Sequence, residues 1–283
     1  MISNMQLMEI GKFNRLTVSR AVDFGIYLKD GDGNEVLLPS RYIDGLPQEG
    51  DEMEVFVYTD SEDRPVATTE RPLIEVGKFA LLRARQVNNV GAFMDWGLQK
   101  DLLVPFSEQK VRMQPGRSYV VYAYLDDASG RVVASAKVHK FLGNKIARYR
   151  RGNAVTVLVL QRAEIGYKVI VDNLYQGIIY YDEIFRELNI GEVLTAYVKR
   201  VRDDNRIDIT LAGRAVDRTA SLADTILAAL TERGGRLAIG DGSSPEKIKE
   251  AFQCSKKDFK KAVGHLLKEG KIVAGKDSIA LKG

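Results

Sequence analysis

The sequence predicts three small antiparallel β barrels followed by a small helical domain, and three observations support this fold class. First, a unit of about 60 residues occurs three times, opening in register at Gly11, Gly77 and Gly152. Second, each copy contains five short apolar or alternating runs bounded by Gly, Asp, Asn or Ser, which is typical of strands joined by turns. Third, the apolar spacing after Leu211 changes from every second residue to the helical period. A chain of 283 residues is long enough for such a string of domains.

The register of the repeat extends through each copy. A second glycine follows the first by 14 residues, at Gly25, Gly91 and Gly166. It lies inside the first hairpin, where glycine indicates a strong bend or a bulge. After 14 more residues a short apolar strand ends. Five strands that close on themselves at this size form the OB-fold arrangement, which leaves no free sheet edge.

The helical tail begins after the third copy. Ser221, Ser244 and Ser255 each precede a run with helical spacing, and serine is a preferred helix cap. Two short apolar runs at the end, 271–274 and 278–281, predict a hairpin. Three helices and a hairpin resemble a winged-helix domain. The predicted domains are a first barrel (1–72), a second barrel (73–138), a basic linker (139–151), a third barrel (152–215) and the winged helix (219–283).

Composition excludes several classes of protein. The chain is 45% apolar and 28% charged, with a mean hydropathy of -0.18, and no window has the ~20 apolar residues of a membrane helix. One cysteine, Cys254, and two histidines, His139 and His265, are too few for a zinc site. No phosphate-binding glycine motif occurs. We expect no secretory signal, because the first residues have neither a basic start nor an apolar core. We therefore expect a cytoplasmic protein that is not an enzyme and has no cofactor, metal or membrane partner.

Several segments resemble S1-type RNA-binding domains, the module of ribosomal protein S1. Asp23–Leu28 and Val90–Met94 look like the aromatic-glycine hairpin of that family, and Leu37–Pro39 and Leu103–Ser107 look like its third strand. Asp204–Leu211 matches its last strand. Three such units with a winged helix resemble the conserved virulence factor B (YitL-like) family. That resemblance implies a role in post-transcriptional gene control.

In S1-type domains, two hairpin rings and the residue that ends the third strand form a surface for stacking bases. The resemblance places Phe24, Tyr27 and Pro39 there in the first copy, and Val90, Phe93 and Pro105 in the second. The third copy has Ile165, Lys168 and Tyr180 at these positions. A ring in a small barrel is more often core than platform, so both interpretations stay open for Tyr27 and Phe93, and Trp96 could serve rim packing or stacking.

Charge separates the copies. Residues 1–72 contain 7 Lys and Arg against 14 Asp and Glu, a net charge of −7, whereas 73–143, 144–218 and 219–283 carry +4, +3 and +4. Neutralising phosphates supplies much of the affinity for nucleic acid. We therefore expect the first barrel to have a packing or protein-contact role.

Basic residues beside aromatic ones form the combined track expected for single strands. The candidates in and after the linker are Lys140, Lys145, Arg148, Arg150, Arg151, Lys199, Arg200 and Arg202. An alternative is a solvated linker helix that Phe141 and Ile146 fix to a barrel. The third predicted helix adds Lys256, Lys257, Lys260 and Lys261, without an Arg, Asn or Gln that would read bases. A solvated lysine face is the alternative there.

The leading hypothesis is a non-catalytic protein that binds single-stranded RNA through the later barrels, the linker and the winged helix. A second hypothesis is a DNA-binding regulator led by the winged helix, with duplex DNA the less favoured partner because base-reading side chains are missing. A third is a protein-interaction scaffold on the ribosome or an RNA-decay complex, docked through the acidic first barrel.

Overall fold

The protein divides into two compact units, Met1–Leu142 and Gly143–Gly283. The structure, a computed structural model, describes residues 8–45, 47–143, 145–184, 186–211 and 215–282, with side chains from residue 222 onward in the last range. The first unit contains two closed barrels, and the second contains a third barrel and a small helical domain. The predicted fold class is confirmed.

The three barrels share one topology. In each, the first strand pairs with the second and the fourth, while the third and fifth strands run parallel to one another. Barrel 1 consists of β1 (Lys12–Val22), β2 (Gly25–Lys29), β3 (Glu35–Pro39), β4 (Glu52–Thr59) and β5 (Pro65–Thr68). Barrel 2 consists of β6 (Phe79–Val87), β7 (Gly91–Asp95), β8 (Leu102–Pro105), β9 (Ser118–Leu125) and β10 (Val132–Ser135). Barrel 3 consists of β11 (Ala154–Ala163), β12 (Gly166–Val171), β13 (Tyr175–Tyr180), β14 (Val193–Val201) and β15 (Ile207–Thr210).

Alternation of side chains along these strands fills the barrel interiors. In β2 and β3, Ile26, Leu28, Val36 and Leu38 point into a buried cluster, while Tyr27 between them is half-buried. Because successive side chains of a strand point to opposite faces, each barrel has one apolar interior and one exterior face. A short 3-10 turn follows the third strand of every barrel, at Ser40–Tyr42, Phe106–Glu108 and Tyr181–Glu183.

One steric constraint explains why glycine stands at the same hairpin position in all three barrels. A Cβ atom at Gly25, Gly91 or Gly166 would lie 2.2, 2.3 or 2.1 Å from a backbone carbonyl oxygen of the third strand. No side chain fits such a close approach. The predicted bulge is present, but in the first strand of each barrel, where the register shifts between Val18 and Arg20 in β1 and at the matching places in β6 and β11.

Barrels 1 and 2 share a core. Trp96, only 2% exposed, lies edge-on to Phe56 and Tyr58 of β4, with ring centroids 5.8 and 6.1 Å apart. At the same seam, Lys100 Nζ donates to the Asp60 carbonyl oxygen at 2.5 Å. Trp96 therefore serves packing between barrels, which decides between its two interpretations.

The helical domain comprises α1 (Ala215–Glu232), β16 (Arg236–Leu237), α2 (Pro245–Phe252), α3 (Lys256–Lys268), β17 (Ile272–Ala274) and β18 (Ile279–Leu281). The Ser244 and Ser255 hydroxyls accept from the backbone N–H groups of Lys247 and Asp258, so both predicted caps are confirmed. The predicted hairpin is β17–β18. The first helix begins at Ala215, and not after Ser221 as predicted; the side chain of Ser221 lies outside the described residues.

Within the described ranges, none of the helices has the length and apolar character needed to cross a bilayer. The described residues also contain no cluster of three or more His, Cys, Asp or Glu side chains suited to a metal ion.

Candidate nucleic-acid interface

The strand registers align one row of exterior side chains across each barrel, from its first strand through the second, third and fifth to the fourth. In barrel 1 the row is Arg20, Tyr27, Leu37, Val66 and Tyr58. In barrel 2 it is Gln86, Phe93, Leu103, Val133 and Tyr124. In barrel 3 it is Gln161, Lys168, Ile178, Asp208 and Arg200. Barrels 1 and 2 thus present a ring and apolar groups where barrel 3 presents charges.

In barrel 1, an arginine covers one face of the Tyr27 ring. The Arg20 guanidinium lies 3.9 Å above the ring centroid, and its Nη2 donates to Glu35 Oε2 at 2.9 Å. This hydrogen bond raises the pKa of Arg20 and lowers that of Glu35. One face of the ring is therefore covered by a neutralised cation. Phe24 at the hairpin tip is 57% exposed.

The β4–β5 turn of barrel 1 also makes contacts, in this case with barrel 2. Arg131 pairs with Asp63, and Lys100 reaches the Asp60 carbonyl oxygen. Burial lowers the pKa of Lys100. This side of barrel 1 therefore makes contacts within the protein.

In barrel 2, Phe93 is half-buried between Gln86 and Leu103 in the row. Lys140, from the turn after β10, pairs with Glu108 at 2.9 Å. Burial opposes the ionisation of Glu108, but hydrogen bonds from Ser135 and Lys140 outweigh it and lower its pKa. The charge of Lys140 is thus partly neutralised inside its own barrel.

Barrel 3 holds a carboxylate in the middle of its row. Asp208 is 5% exposed, although it lies on the exterior face. Its Oδ1 accepts from Arg202 Nε at 2.7 Å, and its Oδ2 lies 3.2 Å from Arg200 Nη2. Arg202 also donates to the Tyr180 hydroxyl, and its hydrogen bond to Asp208 raises the pKa of Arg202. Asp208 therefore holds two of the predicted arginines, Arg200 and Arg202, and Tyr180 contacts both Arg202 and Asp208 itself.

Two further predicted cations flank this cluster. Lys199 Nζ lies 2.5 Å from Glu183 Oε1, which raises the pKa of Lys199. Lys168 is exposed and has no carboxylate partner among the residues that the structure describes. Lys168 is next but one to Asp208 across the strands, so free and paired cations share one face.

The segment 145–151, here named the basic strap, runs along barrel 3 without helical structure. Ala147 and Tyr149 pack on the barrel core, and the Tyr149 hydroxyl donates to Asp172 Oδ2 at 2.7 Å. Asn205, in the β14–β15 turn, accepts from the Ala147 N–H at 2.7 Å and donates to the Lys145 carbonyl at 2.6 Å. The strap is therefore tied to the barrel by both backbone and side chains.

The linker-helix alternative is wrong in two respects. In its described residues, the linker is helical only in the short 3-10 turn Val138–Phe141 and has no helix over 145–151, and Ile146 is 78% exposed. Phe141 does pack as expected, stacked on Tyr122 of barrel 2 at 4.0 Å. Side chains in this segment alternate between two sides. Ala147 and Tyr149 face the barrel core, so the residues between and after them face the solvent.

The outward residues of the strap are the predicted cations Lys145, Arg148, Arg150 and Arg151. All four are exposed, and within the described part of the chain none forms an ion pair. Lys145 lines a shallow hollow together with Arg202 and Asn205. The structure thus brings the strap and the Arg200–Arg202 cluster to one barrel, as the sequence alone could not show.

The four lysines of α3 divide into two pairs. Lys256 donates to the Ser243 carbonyl at 2.8 Å, and Lys260 pairs with Asp241 at 2.8 Å. Lys257 and Lys261 are exposed, with no ion pair among the described residues. Because residues four apart share a helix face, the predicted single lysine face is two faces, of which one binds its own domain.

Sequence reasoning missed the carboxylates. Glu35, Glu108, Glu183 and Asp208 each hold a cation that the sequence presents as free. These partners come from neighbouring strands or turns 6 to 32 residues away. A weak signal existed at Asp208, where the apolar alternation of the last strand is interrupted in the third copy alone.

The fold and the family matches define a class of protein: an S1 domain, two further barrels of the same topology and a winged helix, with S1 and winged-helix domains both of the nucleic-acid-binding kind. Residues 10–70 match the S1 domain family, and residues 224–281 match the family described as CvfB-like winged helix domain.

Individual proteins resemble this chain over nearly its whole length. The YitL protein of Bacillus subtilis is 29% identical over 276 residues, covering 94% of this chain and 91% of the relative. Conserved virulence factor B of Staphylococcus aureus is 27% identical over 275 residues, covering 90% and 89%. A solved Streptococcus pneumoniae multidomain protein with nucleic acid binding domains is 24% identical, covers 96% of this chain and 98% of its own, and has a TM-score of 0.42. The resemblance to the conserved virulence factor B (YitL-like) family is confirmed.

Proposed function

We propose that this protein binds single-stranded RNA in the cytoplasm, without catalysis, and holds it chiefly by the basic strap and the exterior row of barrel 3. The observation that carries the proposal is the set of outward cations on the strap, which have no ion pair among the described residues, on the same barrel as a row that contains Lys168 and Arg200, with Arg202 bound to Asp208 of that row. Cations that are free of carboxylates release counterions from RNA when they bind phosphates.

Aromatic groups supply the second part of the proposed contact. Stacking of a base on a ring is worth ~1–3 kcal/mol and tolerates any base. Phe93 is half-buried and Tyr180 is held by Arg202, so each ring can offer an edge or one face. This combination favours binding with weak sequence preference.

Duplex DNA is the less favoured partner. Lys256 and Lys260 on α3 are engaged within their own domain. Lysine contacts phosphate but reads bases poorly. We assign Lys257 and Lys261 a supporting contact to phosphate, and Lys140 and Lys199 a lesser one because of Glu108 and Glu183.

The proposal is tested by removing two strap cations. Replacing Arg150 and Arg151 together by alanine is expected to weaken binding of a uridine oligomer and to reduce the slope of log K against log salt by about 1.4, at about 0.7 per phosphate contact of a single strand. Fluorescence anisotropy over a salt series measures both quantities.

The control removes two arginines that are paired in the acidic barrel, Arg15 and Arg64. This variant loses the same formal charge but should leave the slope unchanged. An unchanged slope for the strap variant, or tighter binding of duplex DNA than of single-stranded RNA by the intact chain, contradicts the proposal.

We further propose that the bound RNA is messenger RNA and that binding serves post-transcriptional regulation. A regulatory role is supported by a relative that matches 90% of this chain, conserved virulence factor B of Staphylococcus aureus, whose name links it to virulence. Ultraviolet crosslinking in cells, followed by sequencing of the recovered RNA, should yield messenger RNA. Recovery of ribosomal RNA alone would instead favour a ribosome-bound scaffold.

A further inference from the structure

The loop after β8 folds back on itself and stacks an arginine on a ring. The Arg112 guanidinium carbon lies 3.9 Å from the ring centroid of Phe106, the first residue of the 3-10 turn. Arg112 is exposed and Phe106 is half-buried. The outer face of the guanidinium plane is therefore open to solvent.

The stack is held in place by a buried amide. Gln109, midway along the loop, donates from Nε2 to the Val104 carbonyl at 3.1 Å and accepts from the Met113 N–H at Oε1, also at 3.1 Å. Met113 itself is buried in the core of barrel 2. Because both ends of the loop are fixed, Arg112 has little orientational freedom to lose when a ligand binds.

No carboxylate of the described residues neutralises Arg112. The same 3.9 Å stack occurs in barrel 1, where Arg20 covers Tyr27, but Glu35 holds that guanidinium. In barrel 3, the equivalent ring is Tyr181, whose hydroxyl accepts from Arg162 Nε at 3.1 Å. Arg162 also lies 3.9 Å from Glu187 Oε1. Among these three pairs, only that of barrel 2 has a guanidinium without a carboxylate partner in the described residues.

The residues around this stack suit a flat, partly apolar ligand that carries a phosphate, because an apolar side chain and a lysine are exposed near it. The Phe106 N–H donates to the Val90 carbonyl at 3.3 Å, which places the loop beside the hairpin tip. Val90 is 50% exposed, and Lys110 is exposed as well. Arg112 is not among the positions that the S1 resemblance implies, and Phe106 only flanks them.

We propose that Phe106 and Arg112 form a nucleobase site on barrel 2, in which one base of single-stranded RNA stacks on the outer face of the Arg112 guanidinium. Arginine planes stack on unpaired bases, and a ring beneath the guanidinium keeps that plane oriented. This site deepens the proposed function and depends on it.

The test separates the plane of Arg112 from its charge. Arg112→Lys keeps the charge and loses the plane, so we expect about a fivefold loss of affinity for a uridine 10-mer, in line with the range for one stacked base. Binding of an abasic 10-mer with the same phosphates should change less than about twofold, because the charge remains. Arg20→Lys is the matched control, since its stack is already neutralised, and it should change neither.

Three results would overturn the site. One is an unchanged affinity for the uridine oligomer in Arg112→Lys, while Arg150→Ala with Arg151→Ala still weakens binding. Another is an equal loss for the uridine and abasic oligomers, which would make Arg112 a phosphate contact only. The third is an intact chain that binds neither oligomer, which contradicts the proposed function as well and is thereby distinguished from the first two.

Discussion

At the scale of single residues, the neighbouring carboxylates decide what each cation of this protein can do. Arg20, Lys140 and Lys199 are paired, whereas Arg112 and the cations of the basic strap have no carboxylate partner among the residues that the structure describes. Asp208 is a different case, because it lies buried between Arg200 and Arg202 and fixes both.

Replacing Asp208 by asparagine distinguishes positioning from simple charge. Removing an anion from a nucleic-acid surface should strengthen binding if only net charge matters. We expect Asp208→Asn to weaken binding about threefold or more, because Arg202 and Arg200 lose the carboxylate charge that orients them. Anisotropy with a uridine oligomer measures the change, and a thermal melt confirms that the variant is folded.

Asp182→Asn is the control for this variant. Asp182 is exposed on the same barrel, so its removal should leave binding unchanged or slightly tighter. Tighter binding by both variants would show that Asp208 acts only through its charge.

At the scale of elements, strands and turns that the repeat aligns were predictable, whereas side-chain partners were not. The glycine register and the alternation predict the closed barrels because both follow from backbone sterics and period two. Glu35, Glu108 and Asp208 meet their cations only after strands pair, and no spacing in the sequence encodes that meeting. The strap was predicted to be basic, but its extended form depends on Asn205 and Asp172, far along the chain.

Asn205 tests whether the strap must be tied down to bind. It adopts a left-handed backbone conformation with φ of 64°, which glycine also accepts without strain. Asn205→Gly removes the two strap hydrogen bonds and keeps the turn, so we expect weaker RNA binding with a salt slope close to that of the intact chain. Unchanged affinity would show that a loose strap binds equally well.

Cys254 reports on the folded state of the helical domain. Burial raises the pKa of its thiol to about 11, so at pH 8 only about one thiol in a thousand is ionised, and the thiolate is the reactive form. We expect a disulfide reagent to react slowly with the native protein at pH 8 and fast after denaturation. Rapid reaction of the native chain would contradict the packing of Cys254 against the helices.

At the scale of the whole molecule, we expect barrels 1 and 3 to differ in role. In the first unit, the aromatic side chains of β4 and the β4–β5 turn of barrel 1 pack against barrel 2. The contacts on barrel 2 are Trp96, Lys100 and Arg131. In the second unit, barrel 3 and its strap keep their cations at the surface. These contacts and charges support the proposal that barrel 1 serves packing, whereas barrel 3, its strap and the Phe106–Arg112 pair of barrel 2 bind RNA.

The shared core predicts that barrels 1 and 2 unfold together. Trp96→Ala should cost about 3–5 kcal/mol of the free energy of unfolding, as for other buried large side chains, and the transition of the first unit should stay single. Phe24→Ala, at an exposed ring, should cost less than about 0.5 kcal/mol. Denaturation followed by circular dichroism measures both, and a small cost for Trp96→Ala would contradict the seam.

The most direct measurement of where RNA lies is photocrosslinking of the intact protein to a 4-thiouridine oligomer, with the crosslinked peptides identified by mass spectrometry. Crosslinks should concentrate in the basic strap and on β12, β13 and β14 of barrel 3, with a separate group around Phe106 and Arg112. Crosslinks confined to barrel 1, or equal in yield when the oligomer is paired into a duplex, would contradict a protein that holds unpaired RNA by the free cations of its third barrel.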